Sequence, residues 1–289
     1  MVGAGGGLNK NQGVAPDGRW CDRERPRVNA NVSKHMNNLR SSITISSLAE
    51  LLKAATEARQ RFPLTTWWSG LPQVTHDLVP GVFRPRPQGL SEPDLLVLFQ
   101  AFAPTRYKKC PAPTDLDRWL QLAQHYRLPT RLLDWTESVL VAAYFATLNH
   151  ESNDAALWSL GPFNLNQRTI GQGVIPAPSH PSSLRMIKSA FGQSVGDAAG
   201  AETCMAVLGT EIDLRMLLQH GRYTLHNTPT PLNAEAWASE VLIQYVILGS
   251  AKEELRGELN ALGYRRATLF PDLDSLAEFV KNISLSSES

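Results

Sequence analysis

The longest apolar run in the chain, Val241 to Leu248, ends after eight residues and is already broken by Gln244. A membrane-spanning helix needs roughly 18 or more apolar residues in succession. The chain is therefore expected to have no membrane partner, and so short a run reads as a strand. Elsewhere, strand-like runs and helical periodicity follow one another without a regular βαβ alternation. That pattern predicts a single α+β domain, a mixed or antiparallel sheet core with flanking helices. With 289 residues, 43% of them apolar, there is ample chain for one large core. Charge nearly cancels, 28 Lys and Arg against 27 Asp and Glu. This excludes a wholly basic nucleic-acid wrapper and an acidic tail. Local basic pieces remain at Arg23 to Arg27, Arg84 to Arg86 and Arg106 to Lys109; each reads first as a solvated face.

The glycine-rich start, Met1 to Gln12, lacks the apolar stretch of a signal peptide, so the expected location is cytoplasmic. Cys21, Cys110 and Cys204 are odd in number and far apart, which predicts neither a disulfide framework nor a zinc site. No metal ligands are expected.

Residues 1–42 read as a flexible arm and 43–289 as the folded domain. Ser47 with Glu50 makes a capping box for a helix ending near Arg61. Thr65 to Ser69 reads as a strand, and Trp67 and Trp68 on it should face opposite ways. Helices are expected at Glu92 to Ala103, Asp115 to Tyr126 and Glu137 to Asn149, then a strand at Ala155 to Leu160. The stretch 161–201 is rich in Gly, Pro, Ser and Gln and reads as a long insertion or lid with one helix near Leu184 to Phe191. Strands at Cys204 to Leu208, Arg222 to His226 and Val241 to Leu248 follow. Helices at Lys252 to Leu262, stopped by Gly263, and Leu273 to Ile283 complete the chain.

The densest polar cluster is Gln124-His125-Tyr126-Arg127-Leu128-Pro129-Thr130-Arg131-Leu132-Leu133-Asp134-Trp135. A plain connector between two helices needs only a cap and a turn. Here Arg131 could simply brace the loop by pairing with Asp134, and Asp134 or Thr136 could cap the next helix. Several polar groups packed this closely also suit a ligand.

The cluster resembles the signature of the FRG domain family, a Gln-His-Tyr-Gly-x-Pro-Thr-Arg-Leu-Leu-Asp-Trp-like run followed by an Ala-x-Tyr-Phe-Ala-like one, here Ala142 to Ala146. Weaker likenesses flank it: Trp67-Trp68-Ser69-Gly70, Leu78 to Arg84, Arg215, Gln219 to Tyr223, and Phe270 to Leu273. Two positions depart from the pattern. Ser69 stands where the family has arginine, and Arg127 where it has glycine.

The order of elements is in turn similar to that of the ADP-ribosyltransferase superfamily. That resemblance implies a fold of that type and NAD as substrate. Ser69, Gln219 and His125 become the implied catalytic residues, with Gln219 standing where a catalytic Glu usually lies. Gly70, Arg84, Thr130, Arg131, Asp134 and Tyr144 become the implied binding residues. The corresponding activity is a toxin or phage-defence effector modifying a nucleic acid or protein, with an antitoxin or immunity protein as partner. The rival expectation is a binding module that keeps the pocket without the chemistry, for which Ser69 is the best argument. A nuclease or hydrolase built on His125 and Asp134 ranks below both, since no paired carboxylates at metal spacing are visible.

Overall fold

The computed structural model describes residues 40–85, 89–148, 152–193, 203–210 and 213–286. Residues 1–39 of the expected arm lie outside these, with Cys21 and the Arg23 to Arg27 cluster, as do Arg86 and 194–201 of the expected lid. Seven strands form one mixed sheet: β1 (Arg40–Ile45), β2 (Trp67–Leu71), β3 (Leu132–Thr136), β4 (Ala155–Leu160), β5 (Cys204–Val207), β6 (Gly221–His226) and β7 (Leu242–Ile247). Their spatial order is β1-β7-β4-β2-β3-β6-β5. Only the β1–β7 pair is parallel; the others are antiparallel. The fold is α+β in one layered unit, as composition and periodicity predict.

Helices cover both faces. One face carries α1 (Leu48–Arg61), α4 (Val139–Thr147) and α9 (Lys252–Ala261) over Trp68, Leu157, Tyr245 and Ile247. Further along it, α2 (Glu92–Phe102), α3 (Leu116–His125) and α6 (Pro181–Ala190) cover Leu132, Met205, Tyr223 and Leu225. The opposite face carries α5 (Pro162–Ile170) and α8 (Ala238–Val241) over Trp67, Leu133, Trp135 and Trp158. Alternation along β2 thus sends Trp67 and Trp68 to opposite faces, and both are buried because both faces are roofed. Neither indole lines an open cleft.

Local chemistry sets the element ends. Ser47 Oγ accepts from Glu50 N to start α1, while the Glu50 carboxylate reaches back to Ser46 N and Oγ rather than to Ser47. Gly263, at φ +88°, takes the left-handed turn after α9 that side chains resist. Ser138, not Asp134 or Thr136, caps α4; Thr136 Oγ1 instead accepts from Ser138 N.

Two stretches depart from the sequence reading. Residues 162–190 hold two helices, α5 and α6, and both are anchored in the core through Leu165, Met186, Ile187 and Ala190. The side-chain amide of Asn166 on α5 both donates to Ala206 O and accepts from Ala206 N, satisfying the outer edge of β5. The second departure is β3, since Leu132–Thr136 is a central strand between β2 and β6.

Short helices α7 (Leu214–Leu218) and α10 (Arg266–Leu269) close one end of the sheet, followed by α11 (Leu273–Ser286). Among the described residues, no helix is long and apolar enough to cross a membrane.

Candidate acid–base site

The turn from α3 into β3 builds the site. Tyr126 ends α3, and Arg127 then adopts φ +63°, the left-handed region that favours glycine. Leu128 N donates to Ala123 O to close the turn. The family's glycine at this position has a backbone reason, and this chain carries arginine there at a conformational cost.

Thr130, Gln124 and Asp134 form a hydrogen-bonded chain. Thr130 Oγ1 donates to Gln124 Oε1 at 2.6 Å, and Gln124 Nε2 donates to Asp134 Oδ2 at 2.6 Å. Asp134 lies on β3 between Leu132, which belongs to the α3–α6 cluster, and Thr136, which pairs with Trp68 of the α1–α4 cluster. Solvent reaches the carboxylate, yet protein surrounds it closely enough that desolvation dominates and raises its pKa to about 6. The Gln124 hydrogen bond and the charges of Arg215 and Arg84 act in the opposite direction. An open yet enclosed carboxyl describes the floor of a recess.

Its rim is cationic. Exposed Arg84 is steered by its Nε bond to Val79 O, 3.0 Å, in a turn whose Val82 N donates to Thr130 O. Arg215 donates from Nη1 to His125 O and lies 4.7 Å above the Phe270 ring, while its buried Nε has no partner. Arg127 is exposed, and its charge is felt by Arg215. His125 Nε2 sits 2.7 Å from Asp213, the residue that caps α7. Burial is the largest influence on His125 and lowers its pKa, with Asp213 opposing and Arg215 adding to the fall.

The other residues named by the sequence are placed differently. Arg131 is buried and committed: Nε and Nη2 contact Glu92 Oε2 at 2.9 and 2.8 Å, and Nη1 donates to Met186 O and Asn227 Oδ1. Its partner is Glu92, not Asp134. Ser69 pairs with Trp158 on the face of the sheet opposite Asp134. Gly70 is packing: a methyl group there would fall 1.8 Å from Ala142 O on α4. Tyr144 is buried in the α4 cluster against Phe145. Gln219 joins the neighbouring elements, its O accepting from Thr136 Oγ1 and its Nε2 donating to Leu269 O.

Thr130, Asp134, His125 and Arg84 therefore gather in one region, and Ser69, Gly70 and Tyr144 do not join them. Asp213 and Arg215 complete the region. Asp213 escaped the sequence reading because a lone helix-capping aspartate carries no pattern. Among the described residues, no group of three His, Cys, Asp or Glu is placed to hold a metal ion.

A mixed sheet with a recessed carboxyl under a cationic rim is the class of arrangement these residues define. The family model of the FRG domain matches residues 65–155, and over that stretch the chain carries an FRG domain. Neither the curated proteins nor the solved structures contain a match to the chain.

Proposed function

We propose that the chain is an NAD-using, ADP-ribosyltransferase-like enzyme whose acid–base group is Asp134. The observation that carries this reading is the Asp134 carboxyl itself, reached by solvent, enclosed by protein and raised to about 6. A group titrating near neutrality can orient a ribose hydroxyl in one protonation state and accept an acceptor's proton as the glycosidic bond breaks. The donor set fits the substrate: Arg84, Arg127 and Arg215 offer guanidinium groups for a pyrophosphate, and a carboxylate favours an oxocarbenium-like ribose. Nicotinamide leaves with the bonding electrons, and the ADP-ribosyl group passes to an oxygen or nitrogen of the acceptor. The acceptor in this reading is a nucleic acid or protein, the setting a cytoplasmic toxin or defence effector held in check by an antitoxin or immunity protein.

A second reading rests on a different observation. The two packed residues, Gly70 and Tyr144, and the oppositely directed Ser69 leave the recess without the wall that the superfamily resemblance implies. A binding module that has lost catalysis would look the same.

Nicotinamide release from NAD decides between them. The enzyme reading expects release that rises as pH passes through about 6 and is lost in Asp134→Asn. The module reading expects thermal stabilisation by NAD without release. Neither effect at millimolar NAD would sink both.

A further inference from the structure

The last helix is mounted inside out. Leu273, Leu276, Val280 and Ile283 are 81%, 49%, 55% and 53% exposed, while Ser275 on the same helix is buried at 1%. At 100° per residue the four apolar side chains fall on one stripe, and Ser275, Glu278 and Phe279 fall on the side toward the body. That inner side is held by polar contacts, Arg266 to Glu278 at 3.3 Å and Arg265 over the Phe279 ring at 4.2 Å. Between them lies a recess of about 300 Å³. Amphipathic helices normally put the apolar stripe inward. Here the stripe faces water.

The spacing of the stripe is three, four, three, the repeat of a helix-to-helix seam. We propose that α11 is the interface of a homodimer, pairing antiparallel with α11 of a second copy. The sequence of the helix is complementary to its own reverse. An antiparallel pair that sets Leu276 against Val280 also sets Leu273 against Ile283, so every apolar residue of the stripe gains a partner. Asp274 and Lys281 lie along one shoulder of the stripe, and in the same register Asp274 of one copy faces Lys281 of the other, twice over by symmetry. A parallel pair would instead put Asp274 beside Asp274 and Lys281 beside Lys281. Charge therefore selects both the partner and its direction.

A pair of 14-residue helices is about 21 Å long, which places the interface at the small end of specific ones. The expected dissociation constant is micromolar. Light scattering across a concentration series of the full chain should show a monomer–dimer equilibrium. Leu276→Asp with Val280→Asp should weaken it by about tenfold or more, with the circular dichroism of the fold unchanged, since both positions are exposed. Asp274→Lys alone should also weaken dimerisation, and adding Lys281→Asp should restore it. A full chain that stays monomeric at several hundred micromolar overturns the proposal, as does a stripe that binds lipid vesicles while the chain remains monomeric. A charge reversal that does not recover dimerisation overturns the antiparallel register.

Discussion

Asp134 makes a prediction that separates a functional carboxyl from a structural one. Its pKa is higher in the folded chain, about 6, than the usual 3.8. Between those values the folded state binds the proton more tightly than the unfolded state, so this group's contribution to stability falls as pH rises through that window. Above about pH 6 the ionised form is held at a cost, moderated by its access to solvent. Asp134→Asn should therefore raise the melting temperature at pH 7.5, and the gain should shrink as pH falls from 6 toward 4. The same variant should lose nicotinamide release. A brace would behave oppositely, losing stability at neutral pH. Higher stability with lower activity is the mark of a group kept for its chemistry.

At the scale of elements, the Arg131–Glu92 pair ties the start of β3 to the first turn of α2, with Met186 on α6 and Asn227 beyond β6 taking the remaining bonds. Removing one partner of a buried pair strands the other. Arg131→Ala should cost about 3–5 kcal/mol in a denaturant titration, and Arg131→Ala with Glu92→Ala should cost less than the sum of the two single changes. A loss under 1 kcal/mol would mean that Glu92 finds water. The sequence motif points to Arg131 and Asp134 together because they are three residues apart, but on a strand that spacing sends them to opposite faces. Were β3 legible in the sequence, their separation would be too. It is not, because Pro129 and the polar residues around it mimic a loop, and only two strand neighbours reveal the five residues as central. Helices are easier. Their capping serines and apolar faces are local, so α1 to α4 and α9 can be read within a residue or two. Helix α5 is hidden for the opposite reason, since its anchor, Asn166, is a polar residue whose partner Ala206 lies 40 positions away.

The whole molecule is bound by pairings distant in sequence. Within 65–155, β2 and β3 share only the Trp68–Thr136 pair, while β3 leans along its length on β6, and β2 on β4, which lies almost wholly beyond that stretch. Expressed alone, 65–155 should show no cooperative melt and no dispersed amide spectrum. A sharp melt would mean that the family-matched stretch is a folding unit by itself. The buried Arg131 bond to Asn227 and the apolar cluster joining Leu132 to Leu225 argue that it is not.

The position of β7 has a consequence for how such a chain is made. The strand lies between β1 and β4, so a segment synthesised near the end fills a gap near the beginning. While a ribosome works toward Leu242, β1 has no neighbour and β4 has a bare side, each offering unpaired backbone to any passing strand. The nascent chain must carry those raw edges for most of its synthesis, and closure waits for the last quarter of the message. A premature stop before Leu242 would thus yield not a shorter protein but an unfinished sheet, a natural target for holding chaperones and proteases.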